Sequence, residues 1–227
     1  MLSSAVDHLV VAARTLDEGV AWCEATLGVT PDAGGRHALM GTHNRLLSIA
    51  SSVFERAYLE LIAIDPHAPS PRRPRWFDLE QPAMQAALAG GPQLIHWVMQ
   101  RDDLDACMAR WREAGINPGE AIAAQRDTPE GVLRWRIGVR ADGARPGGAV
   151  PTLIEWGDRH PSQRLPARGV ALRCLTLAGL PEAVRRDCAS AGLRFADAGP
   201  ALVAELETPR GQVSLSSMRM GEPDVQP

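Results

Sequence analysis

The stretch VDHLVV at residues 6–11 is the most informative one for the fold, because it places a histidine inside a run of apolar, mostly β-branched residues. Runs of this composition are typical of buried strands. Three further apolar runs each carry one polar side chain that can bind a metal. The four runs are VDHLVV (6–11) with His8, YLELI (58–62) with Glu60, LIHWV (94–98) with His96, and LIEW (153–156) with Glu155. The order of histidine and then glutamate occurs twice, which predicts a duplicated unit.

The four polar side chains need partners, because a polar group inside an apolar strand costs several kcal/mol unless something compensates it. Their repeated order suggests one shared partner, and one divalent metal ion per site is the candidate. Imidazole and carboxylate donors suit Zn²⁺, Ni²⁺, Mn²⁺ or Fe²⁺, whereas Mg²⁺ and Ca²⁺ favour oxygen donors. The alternative is that the histidines are hydrogen-bonded within the core and the glutamates lie on solvent-facing strands.

The periodicity predicts two units that each contain a strand, a helix and three strands, and a third unit that is shorter. Thr15, with Glu18 after it, is typical of a helix start, and Gly28 of a helix end. A unit of this kind is expected to pack against its copy, and the third to complete the structure or to cover the site. The predicted segments are a first βαβββ module at 1–65, a connector rich in proline and arginine with a short helix at 66–91, a second module at 92–158, a third, partial module at 168–218 with a hairpin turning at 209–211, and a disordered tail at 219–227.

Alternation along the first strand predicts that one face carries the ligands. Side chains at 6, 8 and 10 are expected to point one way and those at 7, 9 and 11 the other. Tyr58, Glu60 and Ile62 share a face in the same manner. The ligands could then line a cup while the opposite face packs on helices.

The composition limits the kinds of partner. The net charge of −3 and the pI near 6.1 give no reason to expect nucleic acid or an anionic membrane. A small molecule is therefore the expected ligand. The chain contains no lysine, which excludes Schiff-base chemistry. The four cysteines show no paired spacing and the first residues do not resemble a signal peptide, so a reducing, cytoplasmic location is expected.

The chain resembles the vicinal oxygen chelate superfamily, and within it a glyoxalase-like subgroup that is largely uncharacterised. The resemblance is carried by DHLV at 7–10, GTHNRLL at 41–47, YLELI at 58–62 and LIH at 94–96. It implies an α+β fold in which paired βαβββ modules form a cupped mixed sheet. It also implies metal ligands on the first and fourth strands of each module, which fall on His8, Glu60, His96 and Glu155.

The resemblance further implies the chemistry. A substrate with neighbouring oxygens would bind the metal, an enediolate would form, and a glutamate would move the proton. Glu155 is the first choice of base and Glu60 the second. The expected substrate-binding residues are Thr42, Asn44, Tyr58, Trp97 and Trp135. Turn formation at 41–44 and core packing of the tryptophans are the alternatives. His37 and His43 are expected to be exposed or to support the site, and His67 and His160 to lie in loops.

Three functions are compatible with these patterns. The first is a metal-dependent isomerase or lyase that acts on a small oxygenated metabolite. The second is a binding protein of the antibiotic-resistance type, which holds a ligand without chemistry. The third is an extradiol-type dioxygenase, which needs two histidines and one carboxylate. The sequence leaves open whether the paired modules come from one chain or from a homodimer.

Overall fold

The computed structural model describes residues 4–129, 131–188 and 191–217. The predicted tail at 219–227 lies outside these residues. The elements, in chain order, are β1 (Ser4–Ala12), α1 (Leu16–Leu27), β2 (Asp32–His37), β3 (Thr42–Ser48), β4 (Tyr58–Ile64), α2 (Pro82–Leu88), β5 (Gln93–Arg101), α3 (Leu104–Glu113), β6 (Glu120–Thr128), β7 (Gly131–Val139), β8 (Thr152–Trp156), a 3₁₀ turn (Pro161–Gln163), β9 (Ala171–Ala178), α4 (Glu182–Asp187), β10 (Leu193–Ala196), β11 (Leu202–Thr208) and β12 (Gly211–Ser216).

Eight strands form one mixed sheet in the order β2-β3-β4-β1-β5-β8-β7-β6. Each half contains one strand-helix-strand-strand-strand module, and β1 pairs with β5 antiparallel where the halves meet. The two modules therefore pair within one chain. The sheet curls until its edge strands approach each other, and a side chain at Gly35 on β2 would collide with Arg126 on β6. This cupped arrangement of paired βαβββ modules confirms the predicted fold.

The sheet has an outer face and an inner face. The outer face is covered by α1 and α3, and its strands contribute residues such as Leu9, Leu59 and Leu153 to one apolar core. The inner face forms the cup, with Val10 and Ile154 in a second core cluster. Successive residues of a strand point to opposite faces of the sheet. A residue whose two neighbours belong to the outer core is therefore expected to point to the inner face.

Helix α1 begins and ends as its sequence predicts. The Thr15 side chain accepts a hydrogen bond from the Glu18 backbone N–H at 3.1 Å. Gly28 closes the helix with φ of 78°, a conformation that glycine adopts without strain. The short helix predicted within the connector spans Pro82–Leu88, and it cannot begin at Phe77 or Asp78 because both have positive φ.

The predicted alternation fails at the start of β1. The pairing of β1 with β5 shifts register between Val6 and His8. A bulge of this kind places two successive side chains on nearly the same side. Val6 belongs to the outer core. The next residue, Asp7, is instead hydrogen-bonded to His8 and Trp156, whose side chains lie on the inner face. The expectation that Asp7 points away from His8 is corrected accordingly.

An extra module follows the two paired ones. Its strands form a separate sheet in the order β10-β9-β11-β12. Here β9 pairs with both β10 and β11, whereas the first strand of each paired module contacts the last. The extra sheet shares the outer core with α1 and α3. Residues lining the inner-face cavities described below all precede residue 166, so the described part of the module borders none of these cavities.

In the described part of the chain, no helix is long and apolar enough to cross a bilayer. All four cysteines are buried and free.

Candidate active site

His8 and Glu60 meet on the inner face. Strands β1 and β4 run parallel with His8 opposite Tyr58, so Glu60 lies two residues further along the same face. The distance from His8 Nε2 to Glu60 Oε2 is 3.6 Å. Both side chains are buried, with at most 6% of either residue exposed. The Tyr58 ring stacks on the His8 ring at 4.6 Å, and burial raises the pKa of its hydroxyl, which therefore stays protonated.

Asp7 orients His8 from the other side. Its Oδ1 accepts a hydrogen bond from His8 Nδ1 at 2.6 Å. Its Oδ2 accepts from Trp156 Nε1 at 2.7 Å and from His160 Nε2 at 3.0 Å. Burial alone would raise the pKa of Asp7, but these donors lower it below its usual value. The buried carboxylate is therefore ionised, and it leaves His8 Nε2 directed toward Glu60.

Asn44 fixes Glu60. Its Oδ1 accepts the Gly35 backbone N–H at 2.8 Å, which sets the orientation of the amide. Its Nδ2 then donates to Glu60 Oε1 at 2.6 Å and lies 3.3 Å from His37 Nε2. Burial lowers the pKa of His37 to about 4, so the ring is neutral and can accept this hydrogen bond. His37 Nδ1 in turn lies 3.0 Å from Thr42 Oγ1.

Thr42 and Asn44, which were expected to bind substrate, thus support Glu60 in this structure. His37 also supports it, as the sequence led us to expect.

His96 is on the inner face but is engaged elsewhere. Its Nε2 accepts the Thr152 backbone N–H at 3.1 Å and lies 3.0 Å from Thr152 Oγ1. Burial lowers the pKa of His96 well below its usual value, so the ring is neutral. The Nε2 lone pair that a metal would need is occupied by the backbone of β8.

The Glu155 side chain is directed toward the outer face, although the residue also borders the tryptophan cavity described below. It follows Ile154, which belongs to the inner cluster, and it shares its side of β8 with Leu153 of the outer core. Arg136 Nη1 donates to Glu155 Oε2 at 3.0 Å, and the same arginine donates to Asp105 of α3 at 2.6 Å. The structure does not bring Glu155 together with His8 and Glu60.

Strand register shows why the second glutamate does not match the first. Val10 pairs with Glu60 in the first module, and Val10 lies two residues after His8. Val98, two residues after His96, pairs with Thr152. Thr152 therefore occupies the position equivalent to Glu60, and Glu155 falls three residues beyond it on the other face.

The residues present do not fit a four-ligand metal site. His8 and Glu60 supply two suitable donors, but His96 is hydrogen-bonded to β8 and Glu155 faces away. Within residues 4–129, 131–188 and 191–217, no three His, Cys, Asp or Glu side chains are grouped so as to hold a metal ion. The set of two histidines and one carboxylate required by an extradiol-type dioxygenase is incomplete for the same reason.

The two tryptophans expected to bind substrate lie on opposite faces. Trp97 is fully buried in the outer core, where its Nε1 donates to the Ala149 carbonyl at 2.7 Å. Trp97 cannot line the cup, because its side chain points to the side of β5 opposite to that of His96. Trp135 is on the inner face, and its ring centroid lies 5.5 Å from that of Trp156.

Among the described residues, the inner face carries a central cavity with two larger cavities beside it. A central cavity of about 30 Å³ is bordered by His8, Tyr58 and Glu60. A tryptophan cavity of about 670 Å³ shares the walls formed by Trp76, Trp135 and Trp156 with it. An arginine cavity of about 550 Å³ contains three arginines, and it shares the walls formed by Leu46, Arg126 and Pro161 with the central cavity.

Sequence reasoning missed several residues of this site. Asp7 was placed on the wrong face, and His160 lies in a loop, as expected, but is buried against Asp7. Trp76 and Arg126 were not considered. The only available signal for Asp7 was its position next to His8 within an apolar run.

The comparisons with known proteins agree with the fold. The crystal structure of a hypothetical protein from Staphylococcus aureus is 13% identical and has a TM-score of 0.53, over 96% of this chain and 87% of that one. Methylmalonyl-CoA epimerase from Mycobacterium tuberculosis is 18% identical over 67% of this chain and 86% of its own, with a TM-score of 0.40. A methylmalonyl-CoA epimerase in complex with methylmalonyl-CoA and NH4+ is 20% identical over 69% and 97%, with a TM-score of 0.44.

The comparison with curated proteins found no match. Residues 6–192 match the model of the glyoxalase-like domain family. This match covers most of the chain and both paired modules, and it confirms the resemblance to the vicinal oxygen chelate superfamily. The chain therefore belongs to the glyoxalase-like domain family.

Proposed function

We propose that this protein is an isomerase or lyase that moves a proton on a small oxygenated metabolite, with Glu60 as the general base and His8 as its acid partner. The observation that carries the proposal is the buried pair formed by His8 Nε2 and Glu60 Oε2, 3.6 Å apart. Glu60 takes a proton from the carbon next to a carbonyl group. His8 donates a proton to the substrate oxygen or returns one to carbon.

The neighbours of the pair suit these roles. Asp7 accepts the Nδ1–H of His8 and stabilises the positive charge that the ring carries when Nε2 is protonated. Asn44 holds Oε1 of Glu60 and leaves Oε2 directed toward the central cavity and His8. Geometry of this kind supports proton transfer because both groups are already oriented before substrate binds.

An unpaired donor beside the pair supports an oxygenated substrate. Trp76 borders the central cavity. Its Nε1 is buried and has no hydrogen-bond partner in the part of the chain that the structure describes. Leaving a buried N–H unpaired costs about 1 to 3 kcal/mol. A substrate oxygen would recover this free energy and, as negative charge develops on it, would be stabilised by the donor.

The proton transfer is assigned to protein side chains, because the donor set does not fit the four-ligand metal site of the sequence-based interpretation. His96 Nε2 is already an acceptor for the Thr152 N–H. Glu155 is paired with Arg136 on the outer face.

A second function, ligand binding without chemistry, is favoured by the tryptophan cavity. Its walls include three tryptophans together with Met40 and Ile122. Cavities of this size with apolar and aromatic walls are typical of small-molecule sites in general. The two functions differ in whether Glu60 is needed after the ligand has bound.

Deuterium exchange tests the proposal even while the product of the reaction is unidentified. The protein is incubated in D2O with a library of 2-oxo acids, 2-hydroxy acids, hydroxyketones and acyl thioesters, and deuterium uptake at carbon is followed by mass spectrometry. We expect uptake into at least one class. The variant Glu60→Gln should lower the rate at least about a hundredfold, which is the usual contribution of a general base.

Glu155→Gln is the matched control, because it makes the same chemical change at a carboxylate that is bound by Arg136 and is not paired with His8. Its exchange rate should stay close to that of the wild type. Binding of a library member without uptake by the wild-type protein would favour the second function. Uptake that persists in folded Glu60→Gln would overturn the assignment of the base.

A further inference from the structure

The arginine cavity is lined by three arginines, of which Arg126 also borders the central cavity. Three arginines reach it from different parts of the chain. Arg126 comes from β6, Arg159 from the segment after β8, and Arg164 from the end of the 3₁₀ turn. Positive groups gathered from separate segments in a concave site are suited to bind an anion.

Arg126 is held in place without a carboxylate partner. It is half-buried on the inner face of β6, and no carboxylate lies within 4 Å of its guanidinium among the described residues. Its Nη1 packs over the backbone of Gly35, where any side chain would collide with it. Burial lowers the pKa of Arg126, and the nearby Tyr58 and Glu60 only partly oppose this shift. A charged group that is buried without a partner is costly, so a bound anion would stabilise it.

Two carboxylates of the described residues border the cavity, those of Asp32 and Asp127. Asp32 is bound by Arg168, whose Nε donates to it at 3.0 Å. Asp127 also borders the cavity, but it is exposed and follows Arg126 in the strand, so its side chain is directed to the opposite face. Among the described residues, three arginines and two aspartates therefore line the cavity.

Arg126 also borders the central cavity, where Glu60 lies. An anion bound to Arg126 would therefore be next to the reacting groups. We propose that the arginine cavity binds a carboxylate or phosphate group of the substrate through Arg126 and Arg164, and that the substrate is an anionic small molecule. This inference rests on the proposed function for its link to the reaction, but the anion site can be tested separately.

Calorimetric titration tests the site directly. Inorganic phosphate and malonate are the two anionic probes, and glycerol is the neutral one. We expect the wild-type protein to bind at least one anion and not glycerol, and the preferred anion to distinguish a phosphate site from a carboxylate site. Arg126→Gln should weaken binding at least about tenfold, since it removes charge-assisted hydrogen bonds to the anion. Arg126→Lys, which keeps the charge but not the planar donor pair, should weaken it less.

Two further variants keep the test decisive. Arg164→Gln should also weaken anion binding, and it serves as the test if Arg126→Gln fails to fold. Arg194→Gln is the matched control, because Arg194 is exposed on β10 and loses the same charge outside the cavity. Circular dichroism checks the fold of each protein. Absence of anion binding by the wild type, unchanged binding by folded Arg126→Gln and Arg164→Gln, or an equal loss in Arg194→Gln would each overturn the proposal.

Glu60→Gln separates this site from the proposed function. Because Glu60 is not part of the anion site, anion binding should persist in this variant. If no deuterium exchange is found but anion binding depends on Arg126, the proposed function fails and the site stands. If exchange depends on Glu60 but anion binding is insensitive to Arg126, only the site is overturned.

Discussion

At the scale of the single residue, Asp7 is the group on which the geometry of the candidate site depends. It is 1% exposed and accepts hydrogen bonds from three N–H donors that belong to His8, Trp156 and His160. A buried carboxylate with three donors is stable, whereas loss of its charge leaves the donors unsatisfied. Asp7 thereby links the first strand to the segment that follows β8.

The substitution Asp7→Asn should lower the free energy of unfolding by about 3 kcal/mol, because it removes a buried charge whose partners remain. Urea unfolding followed by circular dichroism measures this loss. Asp142→Asn is the control, since Asp142 is 55% exposed and pairs with Arg140 at the surface. A loss in Asp7→Asn no greater than that in Asp142→Asn would contradict the role given to Asp7.

The sequence predicts individual residues only where local pattern is sufficient. His8 and Glu60 stand out because they interrupt apolar runs, and the structure does bring them together. The role of Asp7 was not predicted, because a bulge in β1 changes the face of the sheet to which its side chain points. The partners Trp156 and His160 are about 150 residues away from it along the chain, and no local pattern encodes such contacts.

At the scale of the elements, α4 is tied to α3 by one carboxylate. Asp187, the last residue of α4, accepts hydrogen bonds from Trp111 Nε1 and Arg110 Nη2, both at 2.9 Å. Burial would raise the pKa of Asp187, but these donors lower it below its usual value. The extra module is therefore attached partly through an ionised group.

Asp187→Asn should lower the free energy of unfolding by about 2 kcal/mol at neutral pH. Because the folded state lowers the pKa, the contribution is present above the unfolded value of about 4 and is lost as the pH falls through the folded value. The wild type and the variant should therefore converge in urea midpoint as the solution is acidified.

Glu182→Gln, an exposed substitution in the same helix, should leave the pH dependence unchanged. A constant difference between Asp187→Asn and the wild type at all pH values would contradict this explanation.

Most elements could be predicted because their apolar periodicity is strong. The elements that were missed or misplaced have weak local signals. Strand β10 has only four residues, of which Arg194 and Phe195 are exposed, so neither alternation nor an apolar run indicates it. The strand order of the extra module depends on tertiary pairing and could not be derived from a repeated element order.

At the scale of the whole molecule, the two paired modules have the same topology but differ in chemistry. The first carries His8 and Glu60 on its inner face. The second carries His96 and, at the position equivalent to Glu60, Thr152. A sequence repeat predicts that two folds match, but it does not reveal which residues are equivalent when the spacing differs by a few positions. The fourth ligand was assigned to Glu155 for this reason.

This asymmetry predicts a weak response to divalent metals. After treatment with a chelator, addition of millimolar Mn²⁺ or Ni²⁺ should raise the thermal unfolding temperature only slightly. By contrast, a four-ligand site with micromolar affinity would add about 4 kcal/mol under these conditions. A large stabilisation that is lost in Glu60→Gln, His96→Gln and Glu155→Gln alike would restore the four-ligand interpretation.

The proposed chemistry requires that the first module alone supplies the reacting groups. The decisive measurement is the ratio of deuterium exchange rates in Glu60→Gln and Glu155→Gln, taken on the same substrate with both proteins folded. We predict that Glu155→Gln is at least about a hundredfold faster than Glu60→Gln. Equal rates in the two variants would contradict this assignment.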